Sequence, residues 1–359
     1  MLENLPILGV CGFSGSGKTT LIEQLVGRLG ACGLHVGVAK HDCHGVDIDR
    51  PGKDSDRFYR AGADVLLSGP DQEVLRARRT DREQIVPQLV ELARRCDVVL
   101  VEGRKHTPLP KLWLLGEAET APPPEVANVL AVLPRDADRV LLALSLLEDL
   151  IERKSKVTPV YGGVLIGGKS SRMGRPKHLI VTAGQTWLRR TADVLAPICA
   201  RVVVLGNGQL PNDLPGDVAR LPDAPGVNGP MGGVLAAMRW APQASWLLVA
   251  CDLPQLTGEA VRWLLATRTP GRWATLPTLD GPGRCEPLLA HYDFRCRVLL
   301  ERQACDNVLS LSKIACHPKI SVMPVPPQLG RAWHNCNRPA DVPAQAPDVL
   351  CGSQWTRAL

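Results

Sequence analysis

Pro6-Ile7-Leu8-Gly9-Val10-Cys11-Gly12-Phe13-Ser14-Gly15-Ser16-Gly17-Lys18-Thr19-Thr20-Leu21-Ile22 decides the fold of the first half of the chain. An apolar run of strand length enters a glycine-rich turn of the form G-x-x-x-x-G-K-[ST], and a helical pattern begins directly behind it. That setting is the one a phosphate-binding P-loop requires. Backbone N–H groups from Gly12, Ser14, Gly15, Ser16 and Gly17 can turn toward phosphate oxygens, and the helix N-terminus adds partial positive charge. Lys18 is placed to reach the β- and γ-phosphates, and the Thr19 hydroxyl to ligate Mg²⁺.

Outward from this loop, strand-type and helix-type segments alternate: helix at 19–29, strands at 35–40 and 64–68, helix at 81–95, then the buried-strand run at 97–101. Such alternation predicts a mostly parallel sheet covered by helices. The run at 97–101 ends on Glu102, a carboxylate at a strand end, which makes Glu102 the candidate to complete a magnesium site with Thr19. The segment 40–57 is dense in titratable groups, and its His41 and His44 remain without an assigned role. An amphipathic helix is expected at 146–153 and a linker at 154–159.

A second strand at 163–166 then enters a different glycine-rich loop, Gly167-Gly168-Lys169-Ser170-Ser171-Arg172-Met173-Gly174-Arg175-Pro176-Lys177, which lacks the G-K-[ST] ending. Gly167 and Gly168 let backbone amides approach a triphosphate, while Arg172 and Lys177 can neutralise charge moving onto a leaving pyrophosphate. Asp252 follows the apolar run at 245–250 and is the natural Mg²⁺ ligand, because ligands of open α/β sheets lie at the carboxyl ends of strands. Glu286 is the next candidate. Asp223 precedes a flexible loop, 224–233, and could accept hydrogen bonds from a guanine N1–H and amino group. Further strands are expected at 201–205, 273–276 and 321–325, and helices at 231–240, 257–268 and 294–303.

The bulk composition narrows the function. At 359 residues the chain is longer than one core usually supports. Hydrophobic residues at 45% and charged residues at 22% belong to an ordinary globular protein. A net charge of +6 suits phosphorylated small molecules, and with 4% aromatic residues and no basic run interleaved with them, a nucleic-acid partner is not expected. Twelve cysteines without a CxxC pair argue for reduced thiols rather than a disulfide framework or zinc knuckle. No signal-peptide pattern and no apolar run of membrane length are seen, so no membrane contact and a cytoplasmic location are expected.

The P-loop, Lys40-His41-Asp42, Asp49-Arg50-Pro51-Gly52-Lys53-Asp54-Ser55 and Val101-Glu102-Gly103-Arg104-Lys105 together resemble the MobB family over about residues 5–150. Arg104 departs from the family, where an aromatic residue commonly stands. The resemblance implies a GTP-binding adapter of molybdopterin guanine dinucleotide synthesis. Over about residues 160–342 the chain resembles the molybdenum cofactor guanylyltransferase family, MobA. There Gly167, Gly168, Arg172, Gly174 and Lys177 fall on the signature loop, Gly229, Pro230 and Gly232 on the second loop, and Asp252 on the metal position. Asn207 and Asp223 align with base-contacting positions, and Asn335 and Asn337 with a segment near the pterin cleft. Pro176 departs from the guanylyl pattern, which has Asp there, toward cytidylyl and sugar-nucleotide transferases.

The resulting expectation is an α/β protein of two domains, P-loop NTPase-like at 1–156 and Rossmann-like nucleotidyltransferase at 157–345, with a loose tail at 346–359. The second domain is expected to transfer GMP from Mg·GTP to the phosphate of Mo-molybdopterin, releasing pyrophosphate, while the first binds GTP. A cytidylyl or sugar-1-phosphate nucleotidyltransferase and a non-catalytic GTPase switch stand as alternatives. Molybdenum-inserting proteins and apo-molybdoenzymes or their chaperones are the macromolecular partners implied, and an oligomer is left open.

Overall fold

The computed structural model describes residues 2, 4–41, 48–78, 85–167, 173–216, 218–279, 281 and 284–342. The expected tail at 346–359, Gly168, Arg172 and His44 lie outside the described residues.

The first half is built on strands β1 (Ile7–Cys11), β2 (Val36–Lys40), β5 (Val98–Glu102), β6 (Lys111–Leu114) and β7 (Val129–Leu133), all parallel in the order β2-β5-β1-β6-β7. β1 is buried along its whole length and β5 in all but its last residue, as continuous apolar runs of a doubly covered sheet require. Helix α1 (Lys18–Ala31) buries Leu21, Ile22, Leu25 and Leu29 on one face beside α4 (Arg139–Val157), which contributes Ala143, Leu147, Leu150 and Ile151. The other face is covered by α3 (Val86–Ala93) through Leu89, Val90 and Ala93. The strand expected at 64–68 is not part of this sheet. Instead β3 (Val65–Ser68) pairs antiparallel with β4 (Glu73–Arg76) as a separate hairpin beside α2 (Asp54–Arg60). Neither hairpin strand has a fully buried residue, so neither could serve as an interior parallel strand.

The expected linker at 154–159 is a helix for most of its length. α4 continues to Val157, with Lys156 paired to Glu152 one turn back, so only Thr158 and Pro159 separate it from β8 (Val160–Leu165). A short hairpin, β9 (Val181–Thr182) with β10 (Gln185–Thr186), leads into α5 (Trp187–Leu195). The second sheet also contains β11 (Arg201–Leu205), β12 (Ala219–Leu221), β13 (Ser245–Ala250), β14 (Ala274–Thr278), β15 (Ala290–Tyr292) and β16 (Ile320–Pro324), in the order β12-β11-β8-β13-β15-β14-β16. Only β15 runs against its neighbours. Helices α5 and α7 (Gly258–Ala266) cover one face, and α6 (Pro230–Trp240) and α8 (Arg297–Cys305) the other. Among the described residues no helix is long and apolar enough to cross a membrane, and every cysteine is a free thiol.

The two sheets meet through the amino-terminal ends of their parallel strands. Asp97, which precedes β5 and is only 2% exposed, accepts hydrogen bonds from the Trp273 indole at 2.8 Å, from the His35 backbone N–H at 2.7 Å and from the Lys319 ammonium. Trp273 and Lys319 immediately precede β14 and β16. Arg295 donates to the Cys96 carbonyl at 2.8 Å and Asn4 to the Gln243 carbonyl at 2.7 Å, while Phe294 packs into the core of the first half. The carboxyl ends of both sheets therefore point away from the seam.

Candidate functional site

The glycine loop after β1 folds as the sequence pattern requires. Gly12, Gly15 and Gly17 have φ of 149°, 75° and 90°, and a Cβ on Gly12 would lie 2.6 Å from the Leu114 carbonyl oxygen. Gly17 caps α1, so the helix N-terminus opens onto the loop. Lys18 folds back to the Phe13 carbonyl at 2.7 Å. The Thr19 hydroxyl donates to Glu102 Oε1 at 3.0 Å, and Lys40 Nζ lies 3.9 Å from Glu102 Oε2. The structure thus brings Thr19 and Glu102 together from α1 and β5, an all-oxygen pair of the type magnesium prefers, with the rest of the coordination shell left to phosphates and water. Gly103 and Arg104 follow with φ of 74° and 55°, a turn fixed by the Gly103 N–H on the Val10 carbonyl at 2.9 Å. His41 is exposed at the end of β2 and joins neither group.

Sequence reasoning missed Arg139, the first residue of α4. Its guanidinium donates to the carbonyls of Ser16 at 2.7 Å, Leu115 at 2.6 Å, Leu133 at 3.1 Å and Pro134 at 2.8 Å. One planar fork thereby ties the P-loop to the ends of β6 and β7 and sets a fixed positive charge beneath the phosphate cradle. An arginine just inside a helix start has no motif of its own, so nothing in the sequence marks it.

In the second half the loops converge at the point where the strand order reverses, between β8 and β13. Gly167 leaves β8 with φ of 113°. Lys177 opens a short 3-10 turn and is bonded by its ammonium to Asp252 Oδ2 and Asn337 Oδ1, each at 2.7 Å. Asp252 follows β13, and its second oxygen, Oδ1, is buried with no hydrogen-bond partner in the protein. A buried carboxylate oxygen left over in this way has the donor chemistry for a hard cation. The Cys336 N–H donates to the Asp252 carbonyl at 3.0 Å, and Asp341 accepts from the N–H groups of Asn337 and Arg338 at 2.8 Å each, which holds the 335–341 segment against the site. Those two N–H bonds hold the Asp341 carboxyl below its usual range.

Asn207 is exposed in the loop after β11, where a Cβ on Gly206 would lie 2.3 Å from the Ile166 carbonyl oxygen, so the loop is pressed against the one that bears Gly167. Asp223 packs against the first turn of α6, and a Cβ on Gly232 or Gly233 would come within 3.1 Å or 3.3 Å of its side chain. Burial pushes its carboxyl up, so an N–H donor would be favoured there. Gly229 caps α6 with φ of 71°. Glu286, on the approach to β15, carries an ion pair with Arg284 at 3.9 Å. Among the described residues no three His, Cys, Asp or Glu side chains cluster as metal ligands.

A family model described as molybdopterin guanine dinucleotide synthesis protein B matches residues 7–135, and one described as MobA-like NTP transferase domain matches residues 162–311. The chain is 38% identical over 151 residues to the molybdopterin-guanine dinucleotide biosynthesis adapter protein of Haemophilus influenzae, covering 40% of this chain and 85% of that protein. It is 31% identical over 144 residues to a probable molybdenum cofactor guanylyltransferase of Bacillus cereus, covering 38% of this chain and 69% of that protein. Identity to a molybdenum cofactor biosynthesis bifunctional protein of Synechocystis is 38% over 110 residues, covering 30% of this chain and 32% of that protein.

Proposed function

Because the chain belongs to the molybdopterin-guanine dinucleotide adapter family through its first half and to the molybdenum cofactor guanylyltransferase family through its second, we propose that it joins GMP from GTP to the phosphate of Mo-molybdopterin. The chain is a nucleotidyltransferase of molybdenum cofactor biosynthesis with a fused GTP-binding domain. In the transfer, an oxygen of the molybdopterin phosphate attacks the α-phosphorus of GTP, the bond to the bridging oxygen breaks, and pyrophosphate leaves.

The observation that carries the reading is the contact of Lys177 with both Asp252 and Asn337 at the strand switch point. An ammonium, a carboxylate with a spare buried oxygen and the Asn337 amide form one hydrogen-bonded group, which supports the roles proposed for them. Lys177, with Arg172, would neutralise charge on the departing phosphates, so catalysis would rest on positioning and electrostatics without a covalent intermediate. Asp223 supports guanine as the base, since a half-buried carboxylate is stabilised by the paired donors of that ring. Magnesium, held by Asp252 in one half and by Thr19 with Glu102 in the other, would supply charge neutralisation to the triphosphates. Molybdenum-inserting proteins and apo-molybdoenzymes or their chaperones are the partners this activity would need.

Pyrophosphate release by the full chain tests the proposal. Release that depends on both GTP and molybdopterin is expected. Binding of GTP without molybdopterin-dependent release would instead fit a nucleotide switch, and release with CTP in place of GTP would fit a cytidylyl enzyme.

A further inference from the structure

The seam between the two halves encloses a cavity of about 30 Å³ whose lining shares no residue with either nucleotide site. Pro6 and Asp97 border it from the first sheet, and Ser245, Thr275 and His291 from the second. His291, in the middle of β15, is 4% exposed, and neither Nδ1 nor Nε2 has a hydrogen-bond partner in the protein. A buried ring with both polar atoms unspent calls for a polar occupant of the space beside it.

The charges around the cavity decide which occupant. Its two carboxylates are already committed, Asp97 to Lys319 and Asp293 to Arg295. Lys154, Arg268 and the exposed Arg272 also line it, and the two guanidinium groups donate to the backbone carbonyls of Leu265 and Pro318. Burial draws the Arg268 guanidinium below its usual range, and burial together with Arg268 draws the His291 imidazole down, so the ring stays neutral and offers one N–H. Water in the cavity would satisfy the imidazole yet leave the lining short of negative charge, because Lys154, Arg268, Arg272 and Arg295 face only Asp97 and Asp293, and Asp293 is shared between Arg295 and Arg268.

We infer that the cavity binds one small tetrahedral oxyanion of the phosphate class, held by Arg268, Arg272 and the His291 ring between the two halves. A volume of about 30 Å³ is roughly twice what one water needs on this scale. It holds only a small occupant, not a nucleotide. The same chemistry is offered by orthophosphate, a product of nucleotide hydrolysis, and by metal oxyanions such as molybdate.

The test uses the full chain carrying Lys18→Ala and Lys177→Ala, which removes the lysine of each nucleotide site. Sodium phosphate, sodium molybdate and sodium chloride are titrated at constant ionic strength, with calorimetric stoichiometry and thermal midpoint as readouts. One saturable site per chain is expected, bound at least tenfold more weakly after Arg268→Met and after His291→Leu. The second variant keeps the seam packed should the first not fold. Tighter binding of phosphate assigns the site to a product of nucleotide turnover, and tighter binding of molybdate to a metal oxyanion. Stabilisation matched by chloride, no site in the Lys18→Ala, Lys177→Ala chain, or affinity unchanged by either seam substitution overturns the inference.

Discussion

Replacing Arg139 by Met keeps an unbranched apolar stem while deleting the guanidinium that holds the P-loop to β6 and β7. Three of its four carbonyl contacts, to Ser16, Leu115 and Leu133, are partly buried, and that to Pro134 is exposed. Water can replace the exposed contact at little cost. The Leu133 carbonyl keeps its bond from the Leu115 N–H at 3.1 Å, so the partly buried carbonyls of Ser16 and Leu115 lose the Arg139 donor, and at about 1 kcal/mol each, the low end of the usual range, the two together cost about 2 kcal/mol. For a domain of this size, each kcal/mol lowers the thermal midpoint by roughly 2–4 °C, which predicts a fall of roughly 4–8 °C. The loop loses its tether at Ser16, so GTP affinity at the P-loop should fall by at least tenfold, while molybdopterin-dependent transfer by Lys177 and Asp252 persists. Arg139→Lys should recover part of both losses, because an ammonium can reach some of the carbonyls but cannot span all of them. Differential scanning calorimetry and titration with a fluorescent GTP analogue give the two readouts. A Met variant with wild-type GTP affinity would refute the reasoning, since the glycine dihedrals alone would then be setting the loop.

Lys18→Ala should abolish GTP binding by the first half and spare transfer by the second, measured by nucleotide titration alongside pyrophosphate release. Asp252→Ala should remove transfer with an unchanged circular dichroism spectrum, and an active variant would move the metal position toward Glu286. Wild-type kcat/KM for GTP should exceed that for CTP by on the order of a hundredfold to ten-thousandfold if Asp223 makes two charge-assisted bonds worth roughly 1.5–3 kcal/mol each, and Asp223→Ala should erase the preference. Asp97→Ala leaves the Lys319 ammonium buried without its carboxylate and should cost about 3–5 kcal/mol, splitting the unfolding of the two halves into separate calorimetric transitions. Asp56 is held down to about 2 by the Gly52 N–H first and then by Arg60 and Arg76. Its folded pKa lies below the unfolded one, so its anchoring of the β3–β4 hairpin through Arg76 is complete above about pH 4 and lost as pH falls through about 2. Hydrogen exchange of 65–76 should rise over that window and not above it.

What could be read from the sequence was whatever a single segment encodes. The P-loop, the strand ending in Glu102 and the strand before Asp252 are each complete local statements, and the strands at 201–205 and 245–250 form with the same ends in the structure. β6 and β7 escaped notice because each lies among prolines and charged residues. Their burial comes from the strands beside them. The helix expected at 146–153 begins seven residues earlier, at Arg139, because its first turns expose Leu141 and Leu142, which blurs the amphipathic period in the sequence. Its continuation through Lys154 to Val157 depends on an i,i+4 ion pair that a composition-based reading takes for a linker. In the transferase half, the contact between Lys177 and Asn337 spans 160 residues and could be anticipated only through the family resemblance. Arg139, Asp97 and His291 had no such help, since their roles arise from contacts with distant segments.

The arrangement of the two halves limits how they can cooperate. Both candidate nucleotide sites lie at the carboxyl ends of parallel strands, as this class of sheet dictates. The seam, built on Asp97, Trp273, Lys319 and Arg295, joins the opposite ends. β1 has 5 residues and β13 has 6, so the path from one site to the other along the strands runs the length of both. At about 3.3 Å per residue that is roughly 36 Å before the thickness of the seam is added. A nucleotide held by the P-loop therefore cannot be the one consumed beside Asp252 of the same chain without first passing through solvent. Assistance from the GTP-binding half must act through the shared strand ends, or on the transferase site of another molecule. Isotope-labelled GTP preloaded on the P-loop and chased with unlabelled GTP distinguishes the cases. Label appearing in the dinucleotide product ahead of exchange with the bulk pool would show direct transfer and contradict the end-to-end geometry.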